Sequence, residues 1–260
     1  MGKSLAELWR YRELLYFLAW RDVKVRYKQA LLGAAWAIIQ PLFTMIIFTL
    51  FFGGLAHVPS DGIPYPVFSY CALVPWIYFS GTVSLAGNSL IANANLITKV
   101  YFPRILLPLA AALSGMLDFA IGSVFLIVML IYYRIGSGWT ILLLPLFIFG
   151  MVAFAFAVSM LLAALNVRFR DVKYVIPFLV QIWLFVTPVI YPTTFLPKRF
   201  QVWLALNPMA GIVEGFRTCF FPSREIDFKV IGISALVTLI VLVLGVTYFS
   251  KTERSFADIV

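Results

Sequence analysis

The sequence predicts an all-α integral membrane protein: six transmembrane helices, an N-terminal amphipathic interface helix, and a re-entrant helical hairpin on the outer side between spans five and six. Three observations carry this. The 260 residues are 63% hydrophobic and 12% charged, with mean hydropathy +0.99, whereas a soluble domain is nearer half apolar and a quarter charged. The apolar residues fall in runs of about 20, the length that crosses a hydrocarbon slab of ~30 Å. These runs lack the period-two alternation of a transmembrane barrel, and backbone in lipid must satisfy itself, so they are helices.

In chain order, residues 1–32 form the interface segment. Tyr16, Trp20, Val23 and Tyr27 share one helical stripe and Arg21, Lys24 and Lys28 the next. A helix with aromatics on one face and cations on another lies in the interface plane and attracts anionic lipid. Residues 33–250 form the membrane domain. Its first span, 33–52, contains Trp36, Gln40, Pro41 and Phe43, and Pro41 predicts a kink. The loop 53–66 carries the only histidine, His57, read as exposed. Span two is 67–87. Between it and span three (105–133) lies a half-polar, half-apolar stretch, 93–104. At helical spacing Leu96, Val100 and Pro103 share one face and Asn95, Thr98 and Lys99 lie towards the other. It is a short helix across the membrane face, either gripped by a soluble partner or anchoring its two spans.

Span three carries Asp118 half-way through. An ionised group there is costly and faces a cavity or a partner. Asp118 is either a satisfied structural acid or a pore or packing switch. Gly115 and Gly122 nearby permit close helix contact. Span four, 139–165, leads into a basic loop with Arg168, Arg170 and Lys173. Span five, 175–191, carries Gln181 and Pro188. Residues 192–221 are broken by Pro192, Pro197 and Asn207-Pro208 and read as a hairpin that dips in and returns, with Glu214 and Arg217 able to pair. Span six is 230–249, and 251–260 is a polar tail. Cys71 and Cys219 lack metal-type spacing and read as buried thiols. The first apolar span follows a long charged segment, so no cleavable signal is expected.

Charge sets the orientation. With both termini cytoplasmic, the inside holds fourteen cations: Lys3, Arg10, Arg12, Arg21, Lys24, Arg26, Lys28, Lys99, Arg104, Arg168, Arg170, Lys173, Lys251 and Arg254. The outside holds six: Arg134, Lys198, Arg199, Arg217, Arg224 and Lys229. This obeys the positive-inside rule and accounts for the net charge of +9 without nucleic acid. The chain has no phosphate-binding G-x-x-x-x-G-K-[ST], no H-E-x-x-H and no G-x-S-x-G. Asp118 stands alone at membrane depth, so neither an enzyme's acid–base constellation nor a proton carrier's set of ionisable groups is present. What remains is a path without an engine.

Several runs together resemble the membrane (permease) subunit of ABC-2-type exporters of polysaccharide and polyol phosphate, the O-antigen, capsule and teichoic-acid transporters. They are residues 20–28 (WRDVKVRYK), 32–41 (LGAAWAIIQP), 93–104, 165–172 (LNVRFRDV) and 207–217 (NPMAGIVEGFR). The resemblance covers nearly the whole chain, in order. It implies a homodimeric channel in the bacterial inner membrane, with two copies of a separate ATPase subunit beneath. No cofactor is expected on this chain, and ATP and Mg belong to the partner. The resemblance makes Asn95, Thr98, Lys99, Tyr101, Phe102 and Arg104, with Arg21, Lys24 and Lys28, the coupling face. It makes Tyr191, Phe195, Asn207, Glu214 and Arg217 the periplasmic gate. The substrate is similar to a lipid-linked polysaccharide. Aromatic rings match the C–H-rich faces of sugars, so Trp36, Phe43, Trp76 and Tyr78 are candidate channel liners, and Gln40, Asp118 and Gln181 the intramembrane polar groups. The alternatives are a membrane-embedded transferase acting on a lipid-linked sugar, and an ABC-2 permease for teichoic acid, a small drug or a lipid.

Overall fold

A computed structural model describes residues 9–28, 33–136, 138–169, 171–222, 227–253 and 256. Residues 1–8 (Lys3 among them) and 29–32 of the interface segment lie outside these, as do Arg170, Arg224 and, in the polar tail, Arg254, Ser255 and residues 257–260. Among the described residues the chain is helical and has no strand. We number the helices α1 (Arg12–Lys28), α2 (Trp36–Phe48), α3 (Tyr65–Gly87), α4 (Ser89–Ala92), α5 (Ala94–Lys99), α6 (Leu106–Tyr132), α7 (Leu144–Arg168), α8 (Val172–Val186), α9 (Lys198–Ala205), α10 (Pro208–Phe220) and α11 (Phe228–Thr252).

Five helical stretches are long and apolar enough to cross a membrane: Trp36–Leu55, Tyr65–Gly87, Leu106–Tyr132, Trp139–Arg168 and Phe228–Thr252. Their ends fall within a few residues of those expected. The fifth expected span differs. α8 has 15 residues, about 22 Å of helix against the ~30 Å of hydrocarbon. The cause is local: Pro188 disfavours helical backbone at Thr187, which is extended (φ −91°, ψ 136°). Even so, α8 and the residues after it run the length of α3. Ile176 packs on Gly87 at one end, and the carbonyl of Ile190 accepts from the Tyr65 hydroxyl (2.7 Å) at the other.

α3 is the central helix, and most of its residues are buried. It packs against α2, α6, α7, α8 and α10. Phe79 stacks on Phe154 of α7 at 5.4 Å, and Trp183 of α8 meets both rings edge-on. Gly115 of α6 permits the close approach expected of it: a Cβ there would lie 3.1 Å from the Thr82 Oγ1. α11 lies along α7, where Gly245 comes close to the Ala157 carbonyl.

α9 and α10 are joined by the short turn at Leu206 and Asn207. Asn207 caps α10 by accepting from the Met209 N–H, and Pro208 occupies the first helical position, where a missing N–H costs nothing. The turn is pinned well down α8: Trp183 Nε1 donates to Asn207 Oδ1 (2.9 Å), and Asn207 Nδ2 donates to Thr187 Oγ1 (3.0 Å). α10 then returns to the end that holds Tyr65 and Phe68.

α1 departs from expectation in its buried face. Leu18 is its buried residue, flanked by Tyr11, Leu14, Leu15 and Ala19, while Tyr16 and Trp20 are exposed. The first half of the aromatic stripe is thus open, while Val23 and Tyr27 further along it are partly covered. Leucines pack on α6 because a pure hydrocarbon side chain loses nothing on burial, whereas Tyr and Trp keep a polar edge that seeks water.

Candidate functional site

The two ends of the bundle differ in construction, and each carries a candidate site. At one end a second apolar cluster, separate from the main core, gathers Leu18, Leu90, Ile97, Phe102, Leu106, Val167, Phe249 and Phe256. It brings together α1, α4 to α7, α11 and the residue after it. On this base sits the segment 93–104. Helix α5 stops at Lys99 because Val100 is extended (φ −130°, ψ 133°). The break shifts the helical phase. Ile97 and Phe102, each 4% exposed, are the anchors, while Val100 points outward. Of the expected Leu96–Val100–Pro103 face, Pro103 is buried and Leu96 packs on the cluster, while Val100 turns away from it.

Of the residues expected to meet a partner, Asn95, Thr98, Lys99 and Tyr101 are exposed, Tyr101 at 81%. Phe102 and Arg104 are not on that face. Phe102 is in the apolar cluster. The backbone N–H of Arg104 donates to Glu253 Oε1 (3.0 Å), and its guanidinium donates to the Glu253 carbonyl. Phe256 packs edge-on against Phe249 at 5.3 Å. Glu253 and Phe256, beyond α11, are thus folded onto the segment. The signal in the sequence was the lone Phe256 among polar residues.

α1 is tied to the same segment. Arg21 Nη1 donates to Asn93 Oδ1 (2.9 Å) and pairs with Asp22 (2.8 Å), and Asn93 Nδ2 donates to the Ser89 carbonyl. Lys24 and Lys28 are exposed, with the Lys24 ammonium 5.7 Å from the Trp20 ring. Further along α1, Arg26 forms an ion pair with Asp118, and the Tyr27 hydroxyl donates to the same carboxylate. Asp118 is therefore a partnered acid, held by a helix expected to lie in the interface plane. Sequence reasoning missed this because the pair is separated by 92 positions.

At the opposite end, Arg217 organises the hairpin. Its side chain is fully buried. Nη1 donates to the Pro188 carbonyl (2.6 Å) and Nη2 to that of Val189 (2.9 Å), and the guanidinium lies 3.6 Å from the Phe68 ring centroid. The carbonyls that α8 leaves open after Val186 are thereby satisfied. The expected pairing with Glu214 is present but longer, at 3.5 Å. Tyr191 donates to the Phe185 carbonyl, and Phe195 is exposed.

The candidate channel liners divide. Trp36 and Phe43 are exposed on α2. Trp76 and Tyr78 are buried: Trp76 packs on Phe79, and Tyr78 donates to the Ala112 carbonyl (3.2 Å). Gln40 and Gln181 are exposed. The open side of α3 towards Gly87 carries Gly81 and Leu85, with Ser80 and Ser84 partly exposed beside them. Both cysteines are buried thiols outside any disulfide, and His57 is exposed, as expected.

The profile of the ABC-2 type transporter family matches residues 13–221. Among characterised proteins, the O-antigen export system permease protein RfbA of Myxococcus xanthus is 30% identical over 261 residues, covering 99% of each chain. A protein of the same name from Klebsiella pneumoniae is 30% identical, covering 95% of each. The polysialic acid transport protein KpsM of Escherichia coli is 24% identical, covering 90% of this chain and 92% of its own.

Proposed function

The chain belongs to the ABC-2 type transporter family, and from that premise we propose that it is the permease of an ATP-driven exporter of a lipid-linked polysaccharide. The full-length likeness to O-antigen permeases supports the substrate class. Two copies of the chain form the conduit, and two copies of a separate ATPase subunit bind at the end that carries α5. That end is cytoplasmic, with both chain termini, and the membrane is the bacterial inner membrane, in agreement with the charge balance. α8 makes the sixth crossing, completed by residues 187–191. α9 and α10 form a re-entrant gate on the periplasmic side, supported by Arg217, which donates to the Pro188 and Val189 carbonyls, and by Asn207, which accepts from the Met209 N–H, bonds of the kind irregular backbone needs at that depth.

One observation carries the reading most directly. The segment 93–104 exposes Asn95, Thr98, Lys99 and Tyr101 while Ile97 and Phe102 hold it to a packed base. A projecting polar–aromatic knob on a rigid support is what a soluble motor needs in order to push on a membrane domain. α1, joined to it through Arg21 and Asn93, adds Lys24 and Lys28 to the same docking face.

The test is co-expression with the nucleotide-binding subunit, followed by purification and ATPase assay with a lipid-linked glycan. We expect a two-plus-two complex whose turnover rises with the glycan. Lys99→Ala and Tyr101→Ala should insert and fold normally, since exposed substitutions change stability by only about 0.5 kcal/mol, yet lose most of the stimulation. A chain that purifies alone, binds no ATPase and modifies a lipid-linked sugar would overturn the reading.

A further inference from the structure

α1 packs along α6. Leu18 of α1 shares an apolar cluster with Leu106, Leu107 and Ala110 of α6. Eight residues beyond Leu18 stands Arg26, and eight beyond Ala110 stands Asp118, its ion-pair partner. The two helices thus keep in step for about 12 Å. α1 therefore carries its last turn to Asp118, the thirteenth of 27 residues in α6.

We propose that the Arg26–Asp118 pair, with the Tyr27 hydroxyl on the same carboxylate, is a releasable clasp that passes movement of the motor-docking helix α1 to the middle of the bundle; the proposal rests on the transport reading above. Arg26, Tyr27 and Asp118 are positioning residues of transport and touch neither motor nor cargo. Their place in the chain fits this role. Arg21, Lys24 and Lys28, on the docking face, lie on the same 17-residue helix. The next α-helix in the chain is α2, which also packs on α6. A shift of α1 along α6 must either part the pair or drag α6 and the foot of α2 with it.

The pair is built to part. The Arg26 side chain is 34% exposed and that of Asp118 24%, and both line a cavity of about 280 Å³. Water reaches the two charges, so separating them costs little, far less than separating a dry pair. Nor does α1 depend on the pair for anchorage, since Leu18, Tyr11, Leu14 and Leu15 already pack it onto the apolar cluster. An apolar contact between positions 26 and 118 would hold at least as firmly and would place no charge at depth. What an ion pair adds is register when closed and a hydrated, discrete open state when released.

The test uses the complex of the full chain with its ATPase subunit in lipid nanodiscs, and the lipid-linked glycan extracted from the host cell as stimulant. Arg26→Gln and Asp118→Asn should assemble with the ATPase subunit and keep its basal turnover. Their unfolding midpoints should stay within about 3 °C of wild type, the shift expected of a partly exposed pair. Glycan stimulation should nonetheless fall by about tenfold. The reversed pair, Arg26→Asp with Asp118→Arg, should recover more than half of it. Release is read directly at Val23, which lies partly covered on the same helix, against a low background because Cys71 and Cys219 are buried. Val23→Cys should react with a maleimide about fivefold faster during ATP turnover than without nucleotide. Wild-type stimulation in both single variants, a reversed pair as inert as they are, or a Val23 rate indifferent to nucleotide overturns the clasp. Midpoints that fall in step with stimulation make the pair a static strut and overturn it equally. A wild-type chain that binds no ATPase subunit breaks the transport reading and takes the clasp with it. A wild-type complex that responds to glycan, with variants that respond as well, breaks only the clasp.

Discussion

At Arg217 a guanidinium has no exposure and lies between two backbone carbonyls and an aromatic ring. Pro188 ends α8, the freed carbonyls need donors, and a single planar fork reaches both while its face covers Phe68. Arg217→Leu should lower stability by roughly 3 kcal/mol, because two bonds from a charged donor are lost and buried acceptors are left open. Arg217→Lys should recover less than half of it, since an ammonium cannot span both carbonyls in one plane. Unfolding midpoints of the full chain in detergent decide this; a wild-type midpoint for the leucine variant would show that the hairpin is held by something else. Helical spacing offered Arg217 a partner in Glu214, three residues before it. That contact is the longer one, and the dominant partners are 28 and 29 positions away.

Helix α11 is the element whose importance a hydropathy reading understates. Its first turn is capped by Asp227, which accepts from the N–H groups of Lys229 and Val230, and Ser234 donates to the Ala205 carbonyl of the hairpin. Its far end carries Phe249 and Glu253, which hold Arg104 and the docking segment. One helix of 25 residues, about 37 Å long, therefore touches both the hairpin and the segment 93–104 at the opposite end. Loss of the grip should loosen the segment without unfolding the bundle. In Glu253→Ala with Phe256→Ala, which removes the side-chain acceptor of the Arg104 N–H and the aromatic anchor, amide exchange across residues 93–104 should rise by at least about tenfold while α3 stays protected, because local opening draws on contacts peripheral to the main core. Unchanged exchange in that segment would mean that Leu106 and Phe102 hold it unaided. The spans themselves were legible because a run of 20 apolar residues has no other use. The buried face of α1 was not. Its leucine and aromatic stripes are adjacent on the helix, and only contact with α6 selects between them. The fold-back at Phe256 was equally hidden, since one aromatic in a polar stretch is normal on any surface.

The surfaces that the protomer leaves open are not alike, and the difference divides lipid from conduit. Along its middle, from Ala235 to Leu244, the exposed face of α11 is aliphatic, with Leu236, Leu239, Ile240, Val243 and Leu244. The open faces of α2, α3 and α8 carry Gln40, Ser80, Gly81, Ser84 and Gln181 among aromatic rings. Lipid chains gain nothing from amides and hydroxyls, so the second set belongs to a wet path or to a second copy of the chain that closes it. Thiol accessibility separates these surfaces. Cys71 and Cys219 are fully buried, so the native background is low. A maleimide reacts through the thiolate, which forms where water reaches the sulfur. In the assembled complex, Ser84→Cys and Gln181→Cys should react with a membrane-impermeant maleimide at least about tenfold faster than Leu239→Cys or Leu244→Cys. The gap should widen during ATP turnover if the path opens then. Equal protection of all four would place the serines and glutamines in a dry interface, and the conduit would have to be sought along α6 and α7 instead.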